Sequence, residues 1–173
     1  IKVFENLQNL NLSNTGESVS DHEVSSYIAE LSKLEDLNLE NTAVGDRGIE
    51  SLTKIKILKN LTLSGTKITD TGLEKIQSLE NLENLNLKDT AIEGTSLVNF
   101  KKLKNLDIRG TRITVDTYIK IKNALQVNNA KILVDDKILI DYATYQIIEL
   151  TGKQREDFTI DDKGNISYKN KNI

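Results

Sequence analysis

Side chains able to do acid–base, metal or nucleophilic chemistry are few in this chain, and they are scattered. His22 is the one histidine in 173 residues, and there is no cysteine. A zinc cluster needs several His or Cys ligands, and a His-centred triad needs a paired nucleophile, so neither fits. Glu35-Asp36, Asp135-Asp136 and Glu156-Asp157 are acidic pairs. Nothing in the sequence sets a second acid–base group opposite them, and they read as solvated charge. The segment from Thr159 has Gly164 and Ile166 at the sixth and eighth places of a calcium loop. Its first and twelfth places are Thr159 and Asn170, so the main carboxylate ligands are missing. Asn11-Leu12-Ser13, Asn60-Leu61-Thr62 and Asn165-Ile166-Ser167 match the glycosylation tripeptide, but the first two are by-products of a longer pattern. No catalysis and no cofactor are expected.

That longer pattern organises the chain. Leu58-Lys59-Asn60-Leu61-Thr62-Leu63-Ser64-Gly65-Thr66-Lys67-Ile68 reads L-x-x-L-x-L-x-x-T-x-I. Copies start at Leu7, Leu34, Leu58, Leu82 and Leu103, at successive spacings of 27, 24, 24 and 21 residues. Each carries Thr at its ninth place: Thr15, Thr42, Thr66, Thr90 and Thr111. Five copies in phase define a repeat array.

Within each copy the L-x-L alternation predicts a short strand with its leucines turned inward. Strands are expected near 9–12, 36–39, 60–63, 84–87 and 105–108. The second half of each copy shifts to helical spacing, as in Ile49, Leu52, Ile55 and in Leu73, Ile76, Leu79. Asp46 and Asp70 stand where helix N-caps belong. The fourth copy is three residues shorter, with only Leu97 and Phe100, and a turn of helix or less is expected there. Phe4 sits three residues before Leu7, as Leu31, Ile55, Leu79 and Phe100 precede the later starts. On that register the chain continues a longer solenoid; a short irregular N-terminal cap is the alternative. One such unit cannot bury its own apolar face, so stacking must supply the core.

These residues resemble the leucine-rich repeat superfamily over about residues 4–125. Ile68-Thr69-Asp70-Thr71-Gly72-Leu73 resembles the I-T-D-x-G-L segment of the cysteine-containing subclass found in F-box substrate receptors, and Val44-Gly45-Asp46-Arg47-Gly48-Ile49 is a looser copy. Thr replaces the Cys or Asn of that subclass; Thr-type repeats of this length resemble those of many bacterial proteins. A Thr hydroxyl can still bond to the turn backbone. The resemblance implies an α/β fold: a right-handed horseshoe solenoid with a parallel concave sheet and convex helices. It also implies a binding role.

Residues 1–129 are expected to form the solenoid and residues 130–173 a C-terminal cap, with a separate domain as the alternative. In that segment 130–134 suggest a last strand. Asp141 suggests a helix cap for about 142–150, ended by Gly152. Residues 158–161 and 166–169 flank Asp162-Lys163-Gly164-Asn165, a hairpin signature. A net charge of −3 is too small to imply a polyanionic or polycationic partner. The longest aliphatic runs fall far short of the ~18 residues of a membrane span.

Stacked strands turn repeat positions into columns. Position two reads Gln8, Glu35, Lys59, Glu83, Lys104, and its last four alternate in sign, which suits pairing between repeats. Position three reads Asn9, Asp36, Asn60, Asn84, Asn105; position five Asn11, Asn38, Thr62, Asn86, Asp107; position seven Ser13, Glu40, Ser64, Lys88, Arg109. Lys88 and Arg109 are adjacent like charges, which either join a local network with Asp89 and Asp107 or form a basic corner for a partner. Asp36 and Glu40 are the acidic counterpart. The candidate partner-binding set is Asp36, Asn38, Glu40, Asn86, Lys88, Asp107 and Arg109. The columns contain no aromatic residue, so a polar surface of modest affinity is expected. The leading reading is a monomeric protein-interaction module with no nucleic-acid partner. A structural spacer of a longer bacterial surface protein is the alternative, and a surface or secreted location is favoured over the cytoplasm.

Overall fold

The computed structural model describes residues 4–152, 154–161 and 165–169, which fall into two compact units, Ile1–Leu133 and Val134–Ile173. In the first unit the described residues form one parallel sheet of six strands in chain order: β1 Asn9–Asn11, β2 Asp36–Asn38, β3 Asn60–Thr62, β4 Asn84–Asn86, β5 Asn105–Asp107 and β6 Lys131–Leu133. The register is set by the repeat itself. Leu10, Leu37, Leu61, Leu85, Leu106 and Ile132 stand side by side, as do the polar residues on either side of them. A slip of one residue would turn every leucine outward, so the hydrophobic pattern permits one register only.

Positions one, four and six bury their aliphatic side chains in each of the four later repeats, from Leu34, Leu37 and Leu39 to Leu103, Leu106 and Ile108. Helical residues such as Ile49, Leu52, Leu73 and Ile76 close the layer from the other side and are fully buried. Each such side chain contributes about 1.5–3 kcal/mol of burial free energy. The ninth-place threonines tie off each strand. Thr42, Thr66 and Thr90 donate their hydroxyls to the carbonyls of Leu39, Leu63 and Leu87 at 2.7, 2.7 and 2.6 Å. Burial leaves these carbonyls few alternatives, which is why a polar residue recurs inside an apolar layer.

The chain turns just before each Thr, at residues with positive φ: Asn14, Asn41, Gly65, Asp89 and Gly110. The two glycines have a second role. A Cβ on Gly65 would strike the Asn41 amide, and one on Gly110 the Asp89 carboxylate. From Asn41 on, a side chain on one turn therefore alternates with open space on the next.

Helices α1 Asp21–Ser26, α2 Asp46–Ser51 and α3 Asp70–Ile76 follow the first three strands. The fourth repeat has only the 3-10 turn Thr95–Asn99, and α4 Val115–Leu125 follows the fifth strand. The N-caps are not the aspartates that the sequence suggested. Gly45 and Thr69 hold the cap positions of α2 and α3, while Asp46 and Asp70 are the first helical residues. Their carboxylates reach the next repeat instead. Asp21 accepts from the Gly45 N–H at 2.6 Å, and Asp46 from the Thr69 N–H at 2.8 Å and its hydroxyl at 2.6 Å. Asp70 accepts from the N–H groups of Glu93 and Gly94 at 2.7 and 2.8 Å. Stacking brings the neighbouring repeat's unpaired N–H groups closer to each carboxylate than those of its own helix.

The second unit contains α5, Asp136–Thr151, and a two-stranded antiparallel pair, β7 Phe158–Ile160 with β8 Ile166–Tyr168. The helix starts earlier than the sequence suggested. Asp135 is the extended N-cap residue, and Asp141 lies inside the helix, paired with Arg155 at 2.7 Å. Ile138, Leu139 and Ile140 therefore belong to the helix, where the run had hidden its start. Gly152, at φ 64°, ends it as expected. Asp161 accepts from the Asn165 N–H at 2.8 Å, so the flanks of the hairpin pair. The expected turn residues 162–164 lie outside the described residues.

Candidate interaction face

The outward side chains of the sheet form columns, and each column has a different job. At position two Lys59 donates to Glu35 at 2.6 Å and Lys104 to Glu83 at 2.7 Å. The Glu35 carboxylate raises the Lys59 pKa, and Lys104 lowers that of Glu83. These are exposed pairs whose role is lateral pairing between repeats.

Position three is a ladder of amides. Asn60 donates to Asp36, Asn84 to Asn60, and Asn105 to Asn84, the last at 2.6 Å. Every amide N–H₂ points toward the preceding repeat, and Asp36, an acceptor only, ends the run. Asp36 is thereby tied into the sheet. Amides in such ladders bond along the strand-stacking direction because the column spacing matches their reach.

Position five acts locally. The side-chain oxygens of Asn11, Asn38 and Asn86 accept from the backbone N–H two residues on, at 3.0, 2.9 and 3.0 Å. Asp107 does the same for Arg109 at 3.2 Å. These are Asx turns that end β1, β2, β4 and β5, a recurring use of Asn and Asp. The alternation of outward residues did not reveal this. The Asn-x-polar spacing was the signal available for it.

Position seven carries the charge. Arg109 grips Asp107 through two donors, Nε at 2.9 Å and Nη2 at 2.5 Å, while Lys88 pairs with Asp89 at 3.4 Å. Burial pushes the Asp107 carboxyl up, but the Arg109 hydrogen bonds outweigh it and hold the pKa below the ordinary value. The local network anticipated for Lys88 and Arg109 is thus formed, and nearly half of each side chain remains exposed. Asn86, Lys88, Asp107 and Arg109 share the β4–β5 end of the face. Asp36, Asn38 and Glu40 belong to β2 and the turn after it, with β3 between the two groups. Ser64 of the β3 repeat is buried in that column, so it interrupts the charge. Aliphatic and amide side chains line the remainder of the face beside β5, with Leu133 and the basic Lys131 on β6.

No protein-family model matches the chain, and no curated protein does. Solved structures do. A leucine-rich repeat protein of Leptospira interrogans is 19% identical over 74% of this chain, with a TM-score of 0.56. The chain has the leucine-rich repeat fold. The internalin InlF of Listeria monocytogenes is 20% identical over 82% of this chain, with a TM-score of 0.57. The alignments cover 37% and 47% of those two proteins, so this leucine-rich repeat chain spans less than half the length of either. Among the described residues no helix is long and apolar enough to cross a membrane.

Proposed function

We propose that this leucine-rich repeat chain is a protein-interaction module without catalysis. It contacts a protein partner at the β4–β5 end of its outer sheet face, through Lys88 and Arg109, with Asn86 and Asp107 holding them in place. The observation that carries this reading is the forked Asp107–Arg109 pair. It fixes a guanidinium whose side chain is nearly half exposed, so little side-chain entropy remains to be lost on binding. Asp36, Asn38 and Glu40 form a second, acidic contact area on β2. There Glu40 is the more available group, because Asp36 accepts from Asn60 and Asn38 from its own turn.

A partner recovered on the immobilised chain is compared with recovery on Lys88→Glu with Arg109→Glu, followed by association rates at low and high salt. Charge contacts at a rim act mainly on the on-rate and weaken with screening. Slower association and a flatter salt dependence in the double variant are expected; equal rates and equal salt dependence refute the site. The spacer reading has its own support. Positions two and three are spent on lateral bonds between repeats, as a stiff structural segment requires. It predicts that no partner discriminates the variant from the parent.

A further inference from the structure

β6 departs from the columns that the five repeats establish, and it does so at both of its outward positions. Paired with β5, it sets Lys131 beside Asn105, Ile132 beside Leu106 and Leu133 beside Asp107. Position three, asparagine or aspartate on every earlier strand, becomes a lysine. Position five, elsewhere Asn, Thr or Asp, becomes a leucine that is 38% exposed. Residues two apart on a strand share a face. An ammonium and an aliphatic side chain therefore stand together on the outward side.

The lysine is also the odd one among the bases of this face. Lys59 and Lys104 hold Glu35 and Glu83, Lys88 holds Asp89, and Arg109 holds Asp107. Lys131 is exposed and makes no ion pair or side-chain hydrogen bond among the described residues. Asp107, the acid on the paired strand, is 9% exposed and gripped by Arg109. The repeat pattern gives the reason. Lys59 and Lys104 each follow an acid one repeat earlier in their column, whereas Lys131 follows the neutral Asn105.

Asn105 is open in a complementary way. Asn60 and Asn84 use both ends of their amides, each donating to the preceding repeat and accepting from the next. Asn105 donates to Asn84, but its own Oδ1 receives no donor among the described residues. The ladder thus ends at β5 on an unused acceptor next to an unused cation. Both line a groove of about 190 Å³, together with Leu106, Asp107 and Leu133. A helix, about 10–12 Å across with its side chains, does not enter such a space; an extended segment does.

We propose that this groove takes an extended acidic–aliphatic segment of a protein partner. A Glu or Asp carboxylate of the segment meets Lys131, a Leu, Ile or Val side chain covers Leu133, and a backbone N–H donates to the Asn105 Oδ1. The inference rests on the protein-interaction reading above and adds β6 to the contact face. Charge selects the acid, because Lys131 is a cation with no counter-charge of its own. Leu133 selects the aliphatic neighbour, because covering it removes apolar surface from water. A phosphate polymer would satisfy Lys131 but leave Leu133 wet, and the net charge of −3 disfavours it.

A capped peptide, acetyl-Ser-Glu-Leu-Glu-Leu-Ser-amide, is titrated into the isotope-labelled full chain while backbone amide shifts are followed. Its capped ends exclude capture of a terminal carboxylate. Saturable shifts concentrated on β5 and β6 are expected. Lys131→Gln in the chain, or Gln for Glu in the peptide, should weaken binding about fivefold, the upper end for an exposed ion pair. Leu133→Ser should weaken it too, and should abolish the preference for this peptide over one with Ser in place of Leu. Lys131 and Leu133 are exposed, so neither variant removes a core group. Absence of saturable binding, shifts centred elsewhere, or variants that bind like the parent overturn the proposal.

Lys88→Glu with Arg109→Glu separates this inference from the reading it rests on. If that double variant leaves the partner's association rate unchanged while Lys131→Gln weakens the peptide, the basic corner fails and the groove stands. If it slows the partner while the peptide does not bind, the corner stands and the groove fails.

Discussion

The Asp46 carboxylate accepts two hydrogen bonds from Thr69 of the following repeat, one from its backbone N–H and one from its hydroxyl. Thr69 is itself the N-cap of α3, accepting from the Thr71 N–H at 3.3 Å. One carboxylate thus places the start of the neighbouring helix, and its charge favours the positive end of that helix's dipole.

Asp46→Ala should therefore destabilise by about 1.5–3 kcal/mol, the range for hydrogen bonds to a charged group. Gly72→Ala should also destabilise, although Ala normally favours a helix interior by ~1 kcal/mol, because the new Cβ meets the Asp46 carboxylate. The two effects are coupled. In an Asp46→Ala background Gly72→Ala should cost less, and a double-mutant cycle in urea should read an interaction of about 0.5–3 kcal/mol. Strict additivity would show that the carboxylate and the glycine do not share a space.

Leu61→Ala and Leu85→Ala should each lose about 2–5 kcal/mol, since both are 2% exposed between stacked layers. Asn60→Ala removes a rung of the amide ladder rather than a core group. It should cost less, about 0.5–1.5 kcal/mol. Denaturant melts of the variants give the comparison, and equal losses would refute the inside–outside assignment.

Two buried hydroxyls are predicted to behave in opposite ways. Thr66→Val keeps the shape but removes the shorter of two hydrogen bonds to the Leu63 carbonyl, leaving that from the Thr66 N–H at 3.2 Å, at a cost of about 0.5–1.5 kcal/mol. The Ser96 hydroxyl is buried with no hydrogen-bond partner among the described residues. Ser96→Ala should be neutral or stabilising, by up to ~1 kcal/mol, because it removes an unsatisfied polar group. Thermal melts that rank Ser96→Ala below Thr66→Val would contradict this.

Acid should act through Asp107. Its folded-state pKa lies below the ordinary 3.8, so its contribution is present above that value and lost as pH falls through the lower, folded value. Asp107→Asn keeps an acceptor for the Arg109 N–H but removes the titrating charge. The variant should be less stable than the parent near neutral pH. The difference should shrink below about pH 3.8 as the parent's carboxylate protonates. Urea midpoints across that range measure it; a difference that does not change with pH would remove Asp107 from the acid limb.

How far the chain could be read without coordinates depends on whether an interaction follows the repeat period. Leu37, Leu61 and Leu85 recur in phase, and burial of one face is an all-or-none choice of register. Strand positions, parallel order and the threonine tie-offs were therefore fixed by the pattern of residues alone. The alternating signs at position two likewise implied the Glu35–Lys59 and Glu83–Lys104 pairs. Asp46 has the right type and place for a cap within its own repeat. Only stacking puts the Thr69 N–H nearer to its carboxylate than the groups of α2. Asn38 and Asn60 look equivalent on one outward face, yet one turns to its own backbone and the other to the next strand. That choice depends on which acceptors and donors the neighbouring strand and the turn bring within reach, which a one-dimensional pattern does not carry. The same holds for the open layer around Leu10. The sequence makes Leu10 the twin of Leu37 and Leu61, and only the tertiary structure shows that nothing among the described residues lies on its other side.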